Sequence, residues 1–156
     1  MQKVIISDTS CIILLDKIGE LNLLNRLFGQ ITVTPEIAEE FTNELPDWFK
    51  IEQPANKTYQ KILEASLDRG EASAIAYAIE QHDCLLIIDD YKGRKYAEQL
   101  GLKITGTLGV IIDAKLQGHI NSVKSLLDKI RRTDFRLTDE LERRTLEKSN
   151  EIDTDV

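Results

Sequence analysis

The chain is poor in the residues that build most soft-metal and nucleotide sites. Of its 156 residues, two are cysteine and two are histidine. Cys11 and Cys84 stand inside apolar runs with no CxxC spacing, and His82 and His119 are isolated. That pattern excludes a zinc ligand set and predicts two small buried hydrophobes. No apolar stretch reaches 18 residues, and Met1 leads into strand-like sequence without a basic segment or small-residue cleavage site. The expectation is a soluble, cytoplasmic protein with no membrane contact. Neither GxxxxGK followed by Ser or Thr nor GxGxxG occurs, so no glycine-rich loop cradles a nucleotide. Positive charge is also short: 20 Lys and Arg face 27 Asp and Glu, a net charge of −7. This argues against a protein that grips nucleic acid over its whole surface, because such affinity is mostly phosphate neutralisation. An acidic site bridged to phosphate by a divalent cation escapes that objection.

The hydrophobic content of 42% and charged content of 30% are those of a globular chain. No repeat or low-complexity linker divides it, and we expect one domain over residues 1–149 with a frayed tail at 150–156. Apolar runs at 4–7 and 85–88 read as strands buried on both faces. Shorter strands are expected at 31–33, near 102–104 and within 46–54. Helices are expected at 11–17, capped by Thr9 or Ser10, and again before Gly29, after Pro35, and at 56–67. The segment Asp68-Arg69-Gly70 should end the last of these, with Glu71 opening the next. Alanines at 72, 74, 76 and 78 would let that helix approach the sheet closely. Further helices are expected at 92–100 and 108–116. Beyond Gly118 the pattern is helical only, ending in a charged helix capped by Thr138. Strands alternating with helices imply a mostly parallel sheet with right-handed crossovers.

Acidic residues stand where the apolar runs stop. Asp8 follows Ile5-Ile6-Ser7, and Asp89-Asp90 follow Leu85-Leu86-Ile87-Ile88. A charge there is expensive unless the chain turns into a crevice or a ligand. Glu40 lies one short helix beyond 31–33, where it competes with Glu39 for the same role, and Glu71 opens a helix. Each has a structural reading: Asp8 can cap a helix, Glu71 suits a helix N-terminus, and Asp89-Asp90 can start a turn. In an open parallel sheet, however, the carboxyl ends of the strands form the ligand crevice. Carboxylates gathered there repel one another unless protons or cations balance them, and an all-oxygen donor set suits Mg²⁺ or Mn²⁺. A metal-dependent phosphodiester hydrolase follows as an expectation. A haloacid-dehalogenase-like phosphotransferase would need a second Asp where Ser10 stands, and a response-regulator receiver would need its acidic pair beside the first strand.

Several segments together resemble a known family. They are Asp8-Thr9-Ser10, Val33-x-Pro35 with Glu40, Gly70-Glu71-Ala72-Ser73-Ala74-Ile75-Ala76, and Leu86-Ile87-Ile88-Asp89-Asp90 followed by Gly93-Arg94 and Ala97. In that order and spacing they look like a PIN domain. Gly101-Leu102, Ile104, Gly106-Thr107-Leu108-Gly109-Val110 and the tail Phe135-Arg136-Leu137-Thr138-Asp139-Glu140-Leu141 resemble a prokaryotic, toxin-like branch similar to VapC ribonuclease toxins.

The resemblance implies a three-layer α/β/α domain with a mostly parallel sheet of about five strands and extra C-terminal helices. It also implies cleavage of single-stranded RNA with Mg²⁺ or Mn²⁺, the acids being Asp8, Glu40, Glu71 and Asp89. Asp90 is the neighbour that can replace or assist Asp89. Glu71 departs from the Asp common among VapC toxins at that position, though a longer carboxylate can still ligate. Thr9 and Thr107 are candidates to hold ligands by hydrogen bonds, and Lys92, Arg94 and Lys95 to grip substrate, ahead of the more distant Arg131, Arg132 and Arg136. A homodimer and, for a toxin, a cognate antitoxin are implied partners. Val110, Ile111, Leu116, Val123, Leu126, Leu127 and Ile130 are the apolar candidates for the dimer face. The rival reading is a non-catalytic PIN-like module that binds RNA or protein. Nothing in the sequence reads a 2′-hydroxyl, so DNA stays open as a substrate.

Overall fold

The structure, a computed structural model, describes residues 3–152. Its centre is β1 (Val4–Ser7) paired in parallel with β4 (Cys84–Ile87), in the register Val4 with Cys84 through Ser7 with Ile87. Ile6, Leu86 and Ile87 are fully buried, as expected of strands covered on both faces. β2 (Ile31–Val33) and β3 (Phe49–Ile51) extend the sheet on one side and β5 (Ile104–Thr105) on the other. The strand order is β3-β2-β1-β4-β5, and every pairing is parallel.

This order fixes the layers. The chain moves from β1 outward to β3, then crosses back to β4 and on to β5. Right-handed crossovers in opposite directions put the connecting helices on opposite faces, giving the three-layer arrangement. α1 (Thr9–Lys17) and α2 (Asn22–Phe28) join β1 to β2. α4 (Lys57–Glu64) and α5 (Arg69–Ile79) join β3 to β4, and α6 (Tyr91–Gln99) joins β4 to β5. α5 packs on β1 and β4. Ala72, Ala74, Ala76 and Ala78 are all fully buried, the close approach that small side chains permit. α3 (Pro35–Glu40) touches both α1 and α5, so it sits at the carboxyl edge where the two helical layers meet.

After β5, α7 (Thr107–Leu116) packs against α2, and α8 (Val123–Arg131) and α9 (Asp139–Lys148) pack against α7 and each other. This packing corrects the apolar dimer face. Val110, Ile111, Val123, Leu126, Leu127 and Ile130 are buried within the chain, and of the set only Leu116 is exposed. Among the described residues no helix is long and apolar enough to cross a membrane.

The expected tail lies partly outside the described residues, at 153–156. Within the described residues Glu151 accepts hydrogen bonds from the Val123 and Lys124 N–H groups and from Lys115 Nζ, fastening the segment just after α9 to the start of α8. Cys11 and Cys84 are free and buried. Burial and the nearby Asp89 and Asp8 carboxylates push the Cys11 thiol well up, leaving it inert.

Candidate metal and phosphodiester site

β1 and β4 are neighbours whose onward connections run in opposite directions, which makes their carboxyl ends the switch point of the sheet. Asp8 and Asp89 leave the sheet there. Asp8 also caps α1: its Oδ1 accepts the Cys11 N–H at 2.9 Å, so the helix begins at Thr9 and neither Thr9 nor Ser10 is the cap. Its other oxygen, Oδ2, accepts the Asp89 N–H at 2.8 Å. Capping and site membership are therefore combined in one side chain. Asp8 is 4% exposed. Burial first, then the Asp89 charge, push its carboxyl up to about 7 against the pull of the two N–H groups.

Asp68 is the acid that the sequence reading missed. It opens α5 instead of ending α4, its Oδ1 accepting the Glu71 N–H at 2.9 Å. The Asp-x-x-Glu spacing from Asp68 to Glu71 is a capping-box signal that was available in the sequence. Burial, then Asp68 and Asp90, push Glu71 up to about 8. Asp8, Thr9, Ser10, Glu40, Asp68 and Glu71 line one small pocket of ≈ 40 Å³. Glu40 rather than Glu39 lines it. Burial raises the Glu40 carboxyl, while the facing Thr9 hydroxyl and Arg69 pull it down.

Two devices bring Glu40 against α5. Thr34, the cap of α3, shares a buried 2.6 Å hydrogen bond with Ser73 Oγ, which pins α3 to α5. Gly70 then leaves room for the Glu40 carboxylate, since a Cβ at 70 would collide with Glu40 Oε1. Neither Thr34 nor Ser73 was singled out from the sequence, because their pairing depends on two elements far apart in the chain.

Asp89 is joined to Asp8 through its N–H but does not line this pocket; it lines a neighbouring groove. Its Oδ1 accepts the Thr107 N–H at 2.7 Å and its Oδ2 the Thr107 hydroxyl at 2.5 Å. Thr107 thus holds a candidate ligand. Asp90 caps α6 by accepting the Gly93 N–H at 3.0 Å. The basic candidates separate. Arg94 turns toward the strand ends and donates to the Ile88 carbonyl at 2.9 Å. Lys92 and Lys95 stay on the exposed face of α6, Lys95 over the Tyr91 ring. Arg131 is engaged by Asp139, Glu142 and the Leu137 carbonyl.

The start of α1, α5, α6 and α7 at this edge turns four helix N-termini, with their partial positive charge, toward the acids. Among the described residues no ion pair with Lys, Arg or His neutralises Asp8, Glu40, Asp68, Glu71, Asp89 or Asp90. Nor are three His, Cys, Asp or Glu side chains among them arranged to hold an ion as they stand. By donor chemistry the residues still fit a hard divalent cation, because all are carboxylates, and burial first, then mutual repulsion, push Asp8 up to about 7 and Glu71 up to about 8.

Comparison with protein families places the chain's residues 4–151 on one family model, DUF3368, described as a PIN domain. No curated protein and no solved structure matches the chain.

Proposed function

Since the chain belongs to the PIN domain family, whose members are generally nucleases, we propose that it is a Mg²⁺- or Mn²⁺-dependent endoribonuclease acting on single-stranded RNA. The observation that carries this reading is the uncompensated set of carboxylates at the switch point, with Asp8 at its centre and Glu71 beside it. Asp8, Glu71 and Asp89 are the residues that would hold the cation, with Asp90 flanking Asp89. Glu40 would hold a second ion or orient water. When bound, the metal supplies Lewis-acid polarisation of the phosphodiester and a water of lowered pKa.

The protein's own groups do the rest. The Asp89 N–H and the Cys11 N–H fix the Asp8 carboxylate, and Thr107 fixes that of Asp89. The helix N-termini favour an approaching phosphate anion. The resemblance to the toxin-like branch extends the proposal to the toxin of a toxin-antitoxin pair in the cytoplasm. An antitoxin would then present an Arg or Lys to the acids, neutralising them without metal. The homodimer that the resemblance implies would have to form on a surface other than this apolar set, of which only Leu116 is exposed, and light scattering at tens of micromolar concentration tests it.

One observation favours a non-catalytic module instead. Asp8, Asp68 and Asp90 each cap a helix, a purely structural task. Incubating purified protein with mixed RNA and DNA pools in Mg²⁺, Mn²⁺ and chelator separates the two readings. Metal-dependent cleavage of RNA supports the nuclease, and binding without cleavage under every metal supports the module.

A further inference from the structure

A groove of ≈ 470 Å³ leaves the acidic crevice at Asp89 and runs between β5 and α7 on one side and α9 on the other. Its charged lining inverts the balance of the molecule. Against a net charge of −7 for the chain, it has Arg94, Arg144 and Lys148 and a single acid, Asp89. None of the three bases is ion-paired with a carboxylate among the described residues, whereas Arg143, on α9 but outside the groove, and Arg131, at the end of α8, both are.

Two glycines let polar side chains of the groove lie close against its backbone. Gly106 has φ −122° and ψ −177°, an ordinary extended conformation that any residue adopts. What it provides is space, since a Cβ there would lie 2.8 Å from Asp89 Oδ1 and 3.0 Å from Arg94 Nη1. Gly109, inside α7 where glycine costs about 1 kcal/mol relative to alanine, leaves the same room for Thr105 Oγ1. Arg144 and Lys148 are four residues apart on α9, so they share one face at a rise of about 6 Å. That is the order of the separation between successive phosphates of one strand. Phe135 adds an aromatic surface to the wall, and base stacking on aromatic side chains tolerates any sequence.

We propose that this groove carries the single-stranded nucleic acid flanking the cleavage point, with Arg94, Arg144 and Lys148 on its phosphates. The proposal rests on the nuclease reading for its direction, from groove to crevice, and can be tested apart from it. Arg144 and Lys148 are exposed, so Arg144→Gln/Lys148→Gln leaves the core intact, which thermal melts check. Binding of a fluorescein-labelled single-stranded RNA is followed by anisotropy in EDTA over a salt series. Arg143→Gln, which removes a charge paired with Glu147 outside the groove, is the control.

The double variant should weaken binding roughly tenfold and reduce the slope of log K against log salt by about 1.4, two contacts at about 0.7 each, with the control near wild type. The same loss on single-stranded DNA also supports the groove, because phosphates are what it grips. Metal-dependent cleavage by wild type, with affinity and slope unchanged in the double variant, overturns the groove and leaves the nuclease standing. Groove-dependent binding with no cleavage under any metal keeps the groove and removes the nuclease. Absence of oligonucleotide binding by wild type overturns the proposal and points to a protein occupant.

Discussion

Asp89 donates its backbone N–H to Asp8 Oδ2 at 2.8 Å, so the two acids that end the central strands are fastened to each other as well as repelled by each other's charge. With Cys11 N–H on Oδ1, each oxygen of Asp8 accepts one backbone donor. An asparagine must turn its amide toward one of those N–H groups, leaving it unsatisfied at a cost of about 1–3 kcal/mol. A protonated aspartic acid keeps lone pairs for both.

Asp8→Asn should therefore cost most at low pH. At pH 5 the native Asp8 carboxyl is largely protonated, and the substitution loses a hydrogen bond while relieving little repulsion. At pH 8.5 the wild type carries a buried, repelled carboxylate, and the removal of that charge offsets the lost bond. Urea unfolding in EDTA at both pH values checks this. An equal destabilisation at the two would show that the charge on Asp8 has no part in the balance.

The metal-free protein should become less stable as pH rises. Asp8 and Glu71 are raised in the folded state from ordinary values near 3.8 and 4.5 to about 7 and about 8. The folded state therefore binds more protons than the unfolded state over that interval. Their contribution is fully present below the unfolded values and is lost as pH rises through the folded ones. Melts in EDTA should fall in Tm between pH 5 and 8.5, with a shallower fall in Glu71→Gln. Excess Mn²⁺ should stabilise the protein more at pH 8.5 than at pH 5, because it needs the carboxylates ionised. A Tm that rises with pH in EDTA for wild type, or that falls as steeply in Glu71→Gln, would contradict this assignment.

Gly70→Ala should separate stability from function. Alanine favours the helix by up to about 1 kcal/mol over glycine, but its Cβ would collide with Glu40 Oε1. Glu40 sits at the end of a flexible side chain and can give way. The variant is expected to melt at or above the wild-type temperature while losing most metal-dependent cleavage, and unchanged cleavage would remove Glu40 from the site.

The strand-end acids were legible because buried parallel strands read as unbroken apolar runs, and Ser7-Asp8 and Ile88-Asp89 stand at their ends. The roles of cap and site residue were harder to apportion. Asp serves both, and the sequence alone assigned the start of α1 to Thr9 or Ser10 and passed over Asp68 as the end of a helix. The groove was not legible, since Arg144 and Phe135 meet Asp89 only through the packing of α9 on α7. The packing of α8 against α7 and α9 likewise hides Leu126 and Ile130, which look like free surface when the helices that cover them are unknown.

Asp89 and Asp90 should differ in their response to the same change. Asp90→Asn keeps a good cap for α6 and is expected near wild-type cleavage, whereas Asp89→Asn should be severely impaired. Thr107→Val, which removes the 2.5 Å donor to Asp89 Oδ2, should lower cleavage or metal affinity by about 10- to 100-fold. Cleavage rates for the three variants at saturating Mn²⁺ and in a Mn²⁺ titration decide it. Equal loss in Asp89→Asn and Asp90→Asn would show that Asp90 shares the ligand role.

The most direct measurement is cleavage of an end-labelled single-stranded RNA by wild type and by Glu71→Gln across a Mn²⁺ titration, with EDTA as the zero point. The account predicts internal cuts that appear with Mn²⁺, vanish with EDTA, and require far more metal or fail altogether in Glu71→Gln. Cleavage that persists in EDTA, or that follows the same Mn²⁺ dependence in both proteins, would contradict a metal-dependent site built on these carboxylates.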